Sequence, residues 1–170
     1  GKTSLLKMIA GLIGYQEGQI TFENKKINKI FRKITLVQQN VALMPWLNVY
    51  QNIVLAKKSY RTNFETEAIR VIKDVGLESS TNLFPYQLSG GMLQRVAIAR
   101  AMVNKPSILF ADEPTGNLDS KTEGEVMGLF KELNEDGQTI IVITHEENIA
   151  NQSKRIINIK DGLIESDTNI

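Results

Sequence analysis

Cysteine is absent from the 170 residues, which excludes disulfides, thiolate chemistry and cysteine-based zinc sites. Charge of one sign is lacking too. The net charge of +1 gives no electrostatic case for nucleic-acid binding. No apolar run approaches the roughly 20 residues that span a bilayer, and no signal peptide is evident. No internal repeat occurs, and the many Asn and Lys residues form no low-complexity tract. A soluble cytoplasmic domain is therefore expected, with any membrane proximity supplied by a partner. The length suffices for one substantial core, because a chain of this size buries about 68–70% of its extended surface.

The chain is organised around residues 86–119, YQLSGGMLQRVAIARAMVNKPSILFADEPTGNLD. A glycine pair, Gly90-Gly91, opens a helix. The helix carries Arg95 and Arg100, with Val96, Ala97 and Ile98 on its apolar surface. After Lys105-Pro106 comes a continuous apolar strand, residues 107–111, the pattern of a parallel sheet covered on both faces. It ends in adjacent carboxylates, Asp112 and Glu113. Each part suits phosphate chemistry. Amides at a helix N-terminus bind anions, and glycines let a phosphate approach the backbone closely. A carboxylate at a strand end can hold Mg²⁺, and a second can orient or deprotonate water. Taken alone, the acids would suit a solvated turn and the glycines a helix cap.

The order and spacing of these motifs resemble the ATPase domain of ATP-binding cassette transporters, over nearly the whole chain. Ser89, Gly90, Gly91 and Gln94 look like that family's signature, with Met92 where many relatives have glutamine. Asp112 and Glu113 look like Walker B and the catalytic glutamate. Residues 117–119, Asn-Leu-Asp, resemble the loop that communicates across the family's dimer. Asp119 would then contact the opposite nucleotide site, although locally it could also cap the next helix. The resemblance implies a P-loop α/β core with a mostly parallel sheet, formed by residues 1–40 and 105–170. Residues 41–104 would be the inserted helical subdomain carrying the signature. It also implies ATP and Mg²⁺ as cofactors.

The chain opens at Gly1-Lys2-Thr3, the last three positions of the G-x-x-x-x-G-K-[ST] phosphate loop. It therefore reads as the later part of a longer domain whose first strands are missing. Taken alone it is expected to bind ATP poorly and to aggregate. Gly1, Lys2, Thr3 and Ser4 begin a helix bearing Leu5, Leu6, Met8 and Ile9, broken by Gly11 and Gly14. The resemblance sets its first-turn amides and Lys2 against phosphate and makes the Thr3 hydroxyl a Mg²⁺ ligand.

Residues 19–23 are β-prone, and the lysine-rich run 24–33 reads as a solvated turn. Residues 34–37 form a strand ending at Gln38-Gln39-Asn40. Alignment with the family places its glutamine at Gln39, a neutral ligand for Mg²⁺ or orienter of water. Without the family, two glutamines would be ordinary surface residues. In residues 45–53 Asn48 is a plausible helix cap. Trp46 is either an exposed anchor for the family's transmembrane partner or a core residue. Residues 49–57 and 65–75 read as helices, the second broken by Gly76.

Arg95 and Arg100 read as salt-bridging residues within the domain. Residues 123–133 form an amphipathic helix ended by Gly137. Residues 139–143 form a buried strand finishing at Thr144-His145. His145 is the only histidine. It follows a strand end, the ligand edge of an open α/β sheet. The resemblance gives it the γ-phosphate and the positioning of water and Glu113. Residues 155–159 and 163–165 read as a hairpin, and residues 167–170 as a frayed end.

The implied function is ATP hydrolysis energising a membrane transporter from the cytoplasmic face of the membrane. The implied partners are a second ATPase subunit, paired head to tail so that its Ser89-Gly90-Gly91 meets the first subunit's ATP, and transmembrane permease subunits. The stretch 112–119 resembles exporters and release systems for lipoproteins, peptides or drugs. Residues 45–47 and 89–92 resemble small-solute importers. The reading leans to export, with import, a nontransport ATPase in DNA repair or translation, and a catalytically incompetent fragment as alternatives.

Overall fold

The computed structural model describes residues 1–27, 30, 33–56 and 64–170. Its centre is a parallel sheet of three strands: β3 (Ile34–Val37), β4 (Ile108–Asp112) and β5 (Thr139–Ile143), in the order β3-β4-β5. Register sets the function of this sheet. Val37 pairs with Ala111, and Asp112 with Ile143, so all three strands finish together. Gln39, Glu113 and His145 each follow one of these ends within two residues. A parallel sheet collects its chemistry at this edge because every connection leaves from it.

β4 is central and covered on both faces, which its unbroken apolar run demands. Alternation splits its side chains between two cores. Leu109 and Ala111 join the larger one with residues of four helices: α2 (Val49–Leu55), α3 (Phe64–Asp74), α4 (Gly90–Met102) and α5 (Ser120–Glu135). Phe110 points the other way, into a smaller cluster with Ile34 and Ile27 and with Leu6 and Ala10 at helix α1 (Lys2–Ile9). The first helix is thus seated on the reverse face of the strand that ends in Asp112.

Several sequence expectations are corrected. No residue of the strand at 139–143 is fully buried: alternation turns Ile140 and Val142 to the larger core and leaves Thr139 and Ile141 exposed on the other face. Lys25–Lys26, expected in a solvated turn, forms strand β2, which pairs antiparallel with β1 (Thr21–Phe22). Residues 28, 29, 31 and 32 of that run, and 57 of the expected helix at 49–57, lie outside the described residues. Helix α5 starts three residues earlier than its apolar pattern indicates, because Asp119 caps it by accepting from Lys121 and Thr122 N–H. A short helix, α6 (Glu147–Ala150), follows the histidine.

The end of the chain is not frayed. β6 (Arg155–Lys160) and β7 (Leu163–Asn169) form a two-stranded sheet, and Arg155 holds Asp167 with two bonds of 2.7 and 2.6 Å. Asn48 caps α2 as expected, whereas the cap of α4 is Ser89 rather than the glycines that follow it. Asn48 shares a reciprocal capping box with Gln51 at α2, and the Ser89 hydroxyl accepts from Met92 N–H at α4.

Candidate functional site

Four of the expected residues meet at the strand ends. β4 delivers Asp112, 8% exposed, beneath the first turn of α1. There the Thr3 hydroxyl donates to Asp112 Oδ1 at 2.9 Å, across 109 residues of sequence. These are hard oxygen donors of the kind Mg²⁺ takes. Gly1 is the N-cap of α1 and Lys2 is half-buried beside it, while Ser4 is exposed.

Glu113 takes a left-handed backbone, φ +48°, a conformation that costs a non-glycine residue about 1–3 kcal/mol. Its N–H donates to Ile143 O at 2.9 Å, and buried Pro114 and Thr115 follow it. The twist turns the carboxylate towards β5, where Oε1 lies 2.8 Å from His145 Nδ1. Oε2 is buried and has no hydrogen-bond partner among the described residues. An unpartnered buried carboxylate oxygen is costly and stays available to a proton donor. The contact raises the His145 pKa, first through the hydrogen bond from Glu113 and then through its charge. Glu146 adds to the rise, while Lys2 opposes it.

The two adjacent glutamines part company. Gln38 lines a cavity of about 490 Å³ beside β3 and α4, together with Arg100. Gln39 reaches over Gly116, where a Cβ would stand 3.0 Å from its Nε2 and 3.8 Å from Glu113 Cβ. The structure thus brings Gln39, not Gln38, to the Glu113 turn.

Ser89, Gly90, Gly91 and Asp119 form a second group. Gly90 and Gly91 press their inner faces against the turn that leads into α5. A Cβ at Gly90 would meet Leu118 Cδ2 at 3.1 Å, and one at Gly91 would overlap the Thr122 methyl. At Gly91 glycine is therefore needed for packing within the chain, a demand separate from any approach of phosphate. The Asp119 carboxylate accepts from Thr122 Oγ1 at 2.6 Å, and this bond is the first of the causes that lower its pKa. Reading the sequence does not single out Thr122. The available signal is a hydroxyl residue three positions after a capping Asp.

Arg95 pairs with Glu125 at 3.1 Å, as expected, and also donates to Val75 O. Arg100 departs from its expected salt bridge: it donates to the Ala42 carbonyl at 2.6 Å, tying α4 to the segment after Gln39. Burial lowers its pKa. Trp46 is 69% exposed, which removes the core alternative.

Comparison with known proteins gives the family. The profile of the family described as "ABC transporter" matches residues 1–116. The chain is 43% identical to the macrolide export ATP-binding/permease protein MacB of Chlorobium phaeobacteroides, over 98% of this chain and 27% of that protein. It is 39% identical to the cell division ATP-binding protein FtsE of Bacillus subtilis, over 98% of this chain and 78% of that one. Among solved structures it is similar to the dimeric post-hydrolysis state of the ATP-binding cassette MJ0796 of Methanocaldococcus jannaschii, bound to ADP and Pi. There the TM-score is 0.82 at 39% identity, over 99% of this chain and 80% of that chain. The chain thus spans about a quarter of the length of the macrolide exporter and about four fifths of the other two.

Proposed function

The chain belongs to the ABC transporter family and has its α/β P-loop fold, and from that premise we propose that it is the ATP-hydrolysing part of a membrane transporter. The observation that carries the proposal is the line of Thr3–Asp112, Glu113–His145 and Gln39 along one sheet edge. In this reading residues 1–40 and 105–170 are the ATPase core and residues 41–104 the helical arm.

The first-turn amides after Gly1, with Lys2 and the Ser4 hydroxyl, hold the phosphates. Thr3, Asp112 and Gln39 supply oxygen ligands for Mg²⁺, which when bound neutralises charge on the phosphates. Among the described residues no group of three or more His, Cys, Asp or Glu side chains is placed to hold a metal ion. The donors fit a cation that keeps water and takes phosphate oxygens, the habit of Mg²⁺. Glu113 orients the attacking water and accepts its proton as the bond between the γ-phosphorus and the ADP oxygen breaks. His145 keeps Glu113 aimed and faces the γ-phosphate.

Ser89, Gly90, Gly91 and Asp119 serve the nucleotide of a second subunit paired head to tail. The dimeric state of the MJ0796 structure supports a second ATPase subunit, and the permease in the name of MacB supports a transmembrane partner. Among the described residues no helix is long and apolar enough to cross a membrane, which suits a peripheral position on the cytoplasmic face. Similarity to a macrolide exporter favours export over import.

The test is Mg-ATP-dependent dimerisation of the Glu113→Gln variant, followed by light scattering. In the full-length protein, which carries the whole phosphate loop, a dimer that accumulates with ATP and is abolished by Ser89→Arg is expected. A folded Glu113→Gln protein that hydrolyses ATP at the wild-type rate would overturn the assignment of the base.

A further inference from the structure

We propose that Thr122 is a positioning residue that locks the start of α4 to the Asp119 turn, so that Gly90-Gly91 and Asp119 move as one body. The inference rests on the reading that both face the second subunit's nucleotide. Three contacts carry it. The Thr122 methyl fills the space a side chain at Gly91 would need. Its hydroxyl donates to Asp119 Oδ2 at 2.6 Å, while its N–H donates to Oδ1 at 3.1 Å. Leu118 lies against Gly90.

One further turn along both helices, Arg95 meets Glu125 at 3.1 Å. Residues four apart on α4 and three apart on α5 share a face, so Gly91–Thr122 and Arg95–Glu125 form one seam. Through that seam a displacement of Asp119 reaches the backbone amides that begin α4. The side chain of Thr122 is suited to the task because it carries both halves of the lock. One branch packs on glycine and the other bonds a carboxylate.

The two branches can be cut separately. Gly91→Ala raises helix propensity, so propensity alone predicts a higher melting temperature. Overlap with the Thr122 methyl predicts a lower one. Thr122→Ser removes that methyl and leaves the nearest atom, Thr122 Cβ, at an ordinary 3.7 Å. The double variant Gly91→Ala, Thr122→Ser is expected to regain the melting temperature lost by Gly91→Ala.

Thr122→Val keeps the bulk and deletes the bond to Asp119. In amide hydrogen exchange without nucleotide it is expected to speed exchange at residues 121–122 and, together with them, at 92–93 in the first turn of α4. In turnover it is expected to lower kcat about tenfold, the effect of a lost bond to a charged group, with KM for ATP changed by less than about twofold. Exchange that rises at 121–122 alone, no rescue by the double variant, or an unchanged kcat overturns the lock. Melting and exchange need no nucleotide. A full-length wild-type protein without ATP turnover would therefore sink the proposed function while these two measurements still decide the contact.

Discussion

His145 Nδ1 and Glu113 Oε1 lie 2.8 Å apart, joining the end of β5 to the residue after β4. His145 is the only histidine, so its ring gives one isolated set of NMR signals. Glu113 raises its pKa. A titration midpoint above the ordinary value of about 6.5 is expected, returning towards it in Glu113→Gln. A midpoint at or below the ordinary value in the wild type would contradict the contact. The raised pKa means that the folded state holds the proton more tightly than the unfolded chain. The stabilisation is fully present below the unfolded pKa and is lost as pH rises through the folded one.

Thr3 and Asp112 give a second test. Thr3→Ala deletes the hydroxyl 2.9 Å from the carboxylate, and Thr3→Ser retains it. The alanine variant is expected to need more Mg²⁺ for half-maximal turnover, by about tenfold for one lost oxygen ligand. The serine variant is expected to stay near wild type. Equal Mg²⁺ dependence in all three proteins would remove Thr3 from the proposed metal site.

Asn52 is fully buried in α2. Its side chain accepts from Met44 N–H and donates to the carbonyls of Met44, Leu47 and Asn48, fixing the loop that displays Trp46. Asn52→Ala would strand those groups and is expected to cost about 2 kcal/mol or more in denaturant unfolding. Trp46→Ala at the exposed tip is expected to stay within about 0.5 kcal/mol. Trp46 fluorescence should register the Asn52 change before global unfolding, because the loop loses its anchor first.

Phe110 is 1% exposed and packs in the same small core as Leu6 of α1. Phe110→Ala is expected to destabilise the protein by about 3–5 kcal/mol. Near-UV spectra and exchange should show the loss concentrated at α1 and β3. A loss spread evenly over the larger core would mean that α1 is not seated on Phe110.

The residues of the candidate site were legible because they are written in short stretches. An apolar strand followed by two acids, and a strand followed by the sole histidine, specify the residue types that reach a ligand edge. The sheet carries them there through register alone. Side-chain facing was less legible. Nothing local says that the inner faces of Gly90 and Gly91 look onto Leu118 and Thr122, or that Arg100 finds a carbonyl and Arg95 a carboxylate. The lengthened α5 was partly legible, since Asp119 was a candidate cap. Its early start was hidden because the first turn carries polar residues that apolar periodicity does not count.

The sequence by itself determined the motif order, the alternation that sends Leu109 and Phe110 to different cores, and the residue types available for phosphate chemistry. These follow from side-chain period and from local capping chemistry. Only the tertiary structure decided which distant residues touch. Thr3 reaches Asp112 across 109 positions because α1 packs over the reverse face of β4. Glu113 reaches His145 because parallel register ends β4 and β5 side by side. Contacts of that kind depend on how separate elements pack, and no stretch of the chain short enough to be read locally contains both partners.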